Sequence, residues 1–99
     1  MSAHPLFVNH LFRLRRSRSL SQKRLAYLVG ASARAISDFE RGRRLPPLRV
    51  AMVLEIVLSA KVSEIYVELC QRLTRDVIGR EDALPSTAHE IRNRLLGKD

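Results

Sequence analysis

Ala33, Arg34, Ser37 and Asp38 fall within six consecutive residues, spaced so that a helix would set all four on one side. Their chemistry is that of contact with the edges of flat heteroaromatic bases. An arginine can give two bonds to the O6 and N7 of a guanine, and a serine can donate or accept. An aspartate can accept from a cytosine amine, and an alanine offers a methyl contact to thymine. As an anion, Asp38 could instead orient Arg34 or Arg41. Residues suited to phosphate stand on both sides: Gln22, Lys23 and Ser32 before, Arg41, Arg43 and Arg44 after. The chain offers no comparable set for catalysis. His4, His10 and His89 are scattered, Cys70 is alone and no Gly-rich phosphate loop occurs. No enzyme activity, cofactor or metal site is expected, and Cys70 is expected to act as a small buried apolar residue.

Two short helices must position these side chains. Ser21 is a good N-cap for a helix over Gln22 to Val29, and Gly30 can take the left-handed backbone that ends it. Ser32 caps a second helix over Ala33 to Glu40, stopped by Gly42. Leu25, Ala26 and Val29 share one face of the first, and Ile36 and Phe39 share one face of the second, so both can be held against a common core. The link Arg41 to Pro47, RGRRLPP, then places three arginines around a glycine expected to be flexible, as a backbone clamp or minor-groove probe.

Two helices broken by a glycine turn form the pattern of a helix-turn-helix DNA reader. From about Leu11 to Ile65 the chain resembles the Cro/phage-repressor (XRE-like) family of helix-turn-helix transcriptional regulators. The matching residues are Leu14, Arg15, Leu20, Ser21, Gln22, Leu25, Ala26, Gly30, Ser32, Ile36, Glu40, Arg41, Gly42 and Pro46. The resemblance implies an ion pair between Arg15 and Glu40 that ties the first helix to the end of the recognition helix. It also implies that Gln22 holds a phosphate. The fold class it implies is all-α: a compact five-helix lambda-repressor-like domain with a C-terminal helical extension.

Charge points the same way without the resemblance. Residues 1–60 hold 11 of the 18 Lys and Arg against only Asp38, Glu40 and Glu55, a net of +8, while residues 61–99 carry seven of each sign. The whole excess therefore sits on the segment with the two-helix pattern, as expected if that segment meets a polyanion. No apolar run reaches the roughly 18 residues of a membrane span, and the N-terminus shows no basic-then-apolar leader, so a cytoplasmic protein without membrane contact is expected.

Six helices with short connections and no strand are expected in all. Pro5 suits the first turn of helix one, with Leu6, Phe7, Leu11 and Leu14 as its apolar stripe. Arg13, Arg15, Arg16 and Arg18 cluster near its end, where they suit both the helix dipole and phosphate. Helix four, about Leu48 to Leu58, is apolar nearly all round, with Val53 and Ile56 at positions that relatives turn outward. Such a helix needs cover on two sides, and Glu55 inside it needs a partner that the sequence does not name. Ser63 is expected to cap a long helix through about Ile78, ended by Gly79. A polar link, Arg80 to Pro85, follows. Thr87 and Glu90 then form a capping box for a last helix with Ala88, Ile91 and Leu95 on one face.

The expected organisation is thus a DNA-binding domain over residues 1–62, its motif at 21–42, and a helical extension over 63–99. The extension packs on the domain, dimerises, or both. Val53, Ile56, Ile65, Leu69, Leu73, Ile91 and Leu95 are the expected dimer contacts. The expected function is regulation of transcription, as repressor or autoregulator, by a homodimer on inverted-repeat duplex DNA. Two other classes stay open: an antitoxin that binds DNA and a toxin, and a basic RNA-binding or structural protein. The second is weakened by scarce aromatics for stacking, only Phe7, Phe12, Tyr27, Phe39 and Tyr66.

Overall fold

The computed structural model describes residues 7–84 and 90–97. Among these are seven helices and no strand: α1 Leu11–Ser17, α2 Gln22–Val29, α3 Ala33–Glu40, α4 Leu48–Leu58, α5 Val62–Ile65, α6 Val67–Asp82 and α7 Glu90–Leu96. The chain divides into two compact units, one up to Leu69 and one from Cys70.

The first unit is built on one core. Leu11 of α1, Leu25 and Val29 of α2, Ile36 and Phe39 of α3, Leu54 and Leu58 of α4 and Ile65 of α5 are all at most 1% exposed. Burying each such side chain contributes about 1.5–3 kcal/mol, so the core rather than the short helices' own propensity holds the unit together. The α2–α3 pair forms as its residues dictate. Ser21 Oγ accepts from the Arg24 amide and Ser32 Oγ accepts from the Ala35 amide, each at 3.0 Å. Gly30 ends α2 at φ +76°, a conformation that strains any residue with a Cβ.

Several expectations about helix ends are corrected. The first helix starts at Leu11, and Pro5 and Leu6 lie outside the described residues. Asn9 makes the start: its Oδ1 accepts from the Leu11 amide, and its Nδ2 donates to the carbonyls of Phe7 and Phe39, all at 2.9 Å. Ser63 caps no long helix. It lies inside the four-residue α5, whose first amide, Val62, donates to Glu55 Oε1 at 2.8 Å. Glu55 thus has its partner, an open helix end one connection away. Tyr66, at φ −116° and ψ 59°, separates α5 from α6. Because Ile65 and Tyr66 are buried in the first unit's core, that unit runs to Leu69 rather than ending at 62.

Exposure also revises the apolar assignments. Ile65, expected at a dimer contact, is 1% exposed and belongs to the domain's own core. Val53 is half-buried against that core, as is Leu69, whereas Leu48, Met52 and Ile56 stand 76%, 57% and 76% exposed on α4. Cys70 is exposed, not buried. It follows the half-buried Leu69.

In the second unit α6 continues through Gly79 to Asp82, since a glycine costs a helix about 1 kcal/mol but does not by itself end it. The Glu81 carboxylate, 6% exposed, accepts from the amides of Ile91 and Arg92 at 2.8 Å each and so caps α7. Thr87 and Ala88 lie outside the described residues. Leu73 and Leu95 are half exposed and Ile91 half-buried.

Candidate nucleic-acid interface

The position of α3 is fixed from its C-terminal end. Arg15, 5% exposed, pairs through Nε with Glu40 Oε2, donates from Nη2 to Glu40 Oε1 at 3.2 Å and donates from Nη1 to the Leu20 carbonyl at 2.7 Å. Gln22 Nε2 adds a third bond to Glu40, at 2.9 Å on Oε1. One carboxylate therefore joins α1, α2 and α3, and every nitrogen of the arginine has an acceptor. A buried ion pair needs this degree of satisfaction if it is not to cost stability.

The inward face of α3, with Ala35, Ile36 and Phe39, is consumed by the core, which leaves the opposite face for a partner. Ala33 and Arg34 are exposed there, and Ser37 and Asp38 half-buried. These four border a single depression of about 410 Å³ together with Gln22, Arg41 and Arg43. A second depression, about 730 Å³, shares Gln22 and Ala33 and extends past Lys23, Ser21, Ser19 and Arg16. Of the side chains expected at such a site, Lys23 borders the second depression and not the first, and Ser32 and Arg44 border neither. Ser32 is occupied as a helix cap, and Arg44 turns back over the Phe39 ring, 5.0 Å from its centre.

The seven-residue link is not loose. Gly42 is buried at φ +70°, its amide donates to the Phe39 carbonyl at 3.0 Å, and its carbonyl accepts from the Phe7 amide at 3.0 Å. Asp38 orients neither Arg34 nor Arg41. Its two carboxylate oxygens lie 3.7 Å from Arg43 Nη1 and 3.7 Å from Arg44 Nε.

A family model described as a helix-turn-helix domain matches residues 6–57. The chain belongs to the helix-turn-helix domain family. No curated protein matches it. In helix-turn-helix readers the second helix of the motif is the element that enters the major groove, and the second helix of the motif here is α3. A helix of this kind works as a spacer that presents a few side chains at base-edge distance while flanking groups hold the backbone. Among the described residues, no helix is long and apolar enough to cross a membrane.

The helix-turn-helix domain also spends cations in ways that spacing along the chain does not show. Arg18 donates to the Leu58 carbonyl at the end of α4, at 2.8 Å. Arg49 donates to the carbonyls of Val29 and Gly30 at the end of α2, at 3.3 and 3.2 Å. Both place a positive charge where helix carbonyls are unsatisfied. With Arg15, three arginines are thus engaged by acceptors within the helix-turn-helix domain itself. Arg16 moves the other way. It borders the second depression, and the only sequence signal for that was its place in the arginine cluster closing α1.

Proposed function

We propose that this protein is a regulator of transcription of the Cro/phage-repressor type, acting as a repressor or autoregulator by sequence-specific binding of duplex DNA. The observation that carries the reading is the single depression in which the outward residues of α3 meet basic and amide groups from α2 and the following link. Arg34 is assigned to a guanine, through O6 and N7, Ser37 to either base type, and Ala33 to a thymine methyl. Gln22, Lys23, Ser32, Arg41, Arg43 and Arg44 are assigned to phosphates. The Gln22 amide has two hydrogens, and the bond to Glu40 uses one, leaving the other for an oxyanion.

The regulator is proposed to act as a homodimer on an inverted repeat, with its recognition helices about 34 Å apart. Support comes from the exposed Met52 and Ile56 on α4, an apolar stripe that water covers poorly. The experiment is selection of duplexes from a random pool, followed by affinity measurement across salt concentration. A dimer neutralising about ten phosphates gives a log–log slope near −9, with selected sequences forming an inverted repeat. A slope near zero contradicts the electrostatic assignment. Selected half-sites without symmetry, bound by a protein that sediments as a monomer at micromolar concentration, contradict the dimer.

A further inference from the structure

Two of the cations assigned to the DNA backbone are already engaged by an anion on the recognition helix. The link after α3 is anchored by its backbone: the Arg43 amide donates to the Asp38 carbonyl at 2.9 Å, and Gly42 is fixed on both sides. This fold-back brings both guanidinium groups, 58% and 55% exposed, to a carboxylate that is only 21% exposed. Arg44 is further seated over the Phe39 ring. The carboxylate is therefore the stationary member and the arginines the groups that come to it. No other described carboxylate borders the depression that holds Arg34 and Arg43.

We propose that Asp38 is a positioning residue that restrains Arg43 and Arg44 and thereby keeps sequence-independent affinity for DNA low. This rests on the reading of the α3 face as the DNA interface. For either arginine to take a phosphate it must leave, or share, the carboxylate. This competition weakens backbone holding without touching Arg34 or Ser37. Asp38 thus acts through the two arginines, so that a protein with a large basic excess is not retained on every duplex it meets.

The test compares Asp38→Asn with the natural protein, each with and without Arg43→Ala and Arg44→Ala. The probes are a random-sequence 30-base-pair duplex and immobilised heparin, a polyanion without bases. Asp38→Asn is expected to raise affinity for the random duplex about 3- to 10-fold and to steepen the salt slope by up to about 0.9 for each arginine released. It is also expected to delay elution from heparin. All three effects are expected to vanish when both arginines are alanine, whereas Asp38→Glu retains the restraint. If Asp38→Asn has the same effect with and without the arginines, the carboxylate acts directly on phosphate and the proposal is overturned. Unchanged elution and unchanged duplex affinity overturn it as well. Delayed elution from heparin, by a protein that in its natural form binds no duplex, upholds the restraint and contradicts the DNA reading.

Discussion

Glu40 and Asp38 lie two residues apart on one helix, each with arginine partners, yet they belong to different regimes. Glu40 is enclosed, shares its oxygens between Arg15 and Gln22, and joins three helices. Asp38 stands at the edge of the outward face, 3.7 Å from two guanidinium groups that remain more than half exposed. The difference shows what burial does to one kind of ion pair. In the enclosed site, removing one partner strands the other, so the pair fixes geometry. At the open edge water replaces either partner easily, so the pair adds little to folding and stays exchangeable with another anion. One side of α3 is thereby rigid, and the other is free to respond to a ligand.

Breaking the enclosed pair has the largest expected effect. Glu40→Ala leaves Arg15 buried without its anion and is expected to cost about 3–5 kcal/mol in urea unfolding. Replacing both residues by apolar side chains, Arg15→Met with Glu40→Leu, is expected to cost less than Glu40→Ala alone. If the double variant loses more, the pair contributes as an attraction rather than through the cost of a stranded charge.

Glu55 tests the range between these regimes, being half-buried with one amide to satisfy at the start of α5. Glu55→Ala is expected to cost about 1 kcal/mol, the usual loss for a helix cap. Hydrogen exchange is expected to speed up locally at Val62 and its neighbours. A loss matching that of Glu40→Ala would erase the gradient from enclosed to open carboxylates.

Tyr66 extends the comparison to a buried polar group for which no hydrogen-bond partner is found among the described residues. Burial pushes its phenol from 10.0 to about 12. Between those values the unfolded chain releases the proton and the folded chain keeps it, so folding stability falls as pH rises from about 10 towards 12. Tyr66→Phe is expected to remove that portion of the alkaline loss. A variant with an unchanged alkaline limb would show that other groups set it.

The smallest effect belongs to the open pair. Asp38→Asn is expected to shift folding stability by less than about 1 kcal/mol, the range of exposed ion pairs. A loss of several kcal/mol would mean that Asp38 supports the fold and would make the two carboxylates alike.

What was legible in the sequence follows the range of the interactions involved. The α2–α3 pair was readable to the residue because its signals are local: Ser21, Gly30 and Ser32 cap within three positions, and Leu25, Ile36 and Phe39 repeat with the helical period. The start of α1 is hidden from helical spacing because Asn9 takes the first amide of the helix and is itself held by the Phe39 carbonyl, thirty residues away. Glu55 had no visible partner because that partner is a backbone amide, which no side-chain pattern announces. The break at Tyr66 uses neither glycine nor proline, so a continuous helix was the natural reading of that stretch. Ile65 was placed on an outer face because it shares spacing with Leu69 and Leu73, but the break assigns it to a different helix. At the site, residue types marked the outward face of α3. Distinguishing Arg18 and Arg49, which bind helix ends, from arginines free to meet a ligand requires the fold.

The outward face of α3 is proposed to read bases in the major groove of duplex DNA, with Arg34 on a guanine. Dimethyl sulfate probing of a duplex selected by the natural protein tests it most directly, because the reagent attacks the same guanine N7 that Arg34 is assigned to cover. One guanine in each half-site is expected to be protected by the natural protein and to regain reactivity with Arg34→Ala, while the backbone footprint is retained. An unprotected major groove, or protection that Arg34→Ala leaves intact, would contradict the assignment.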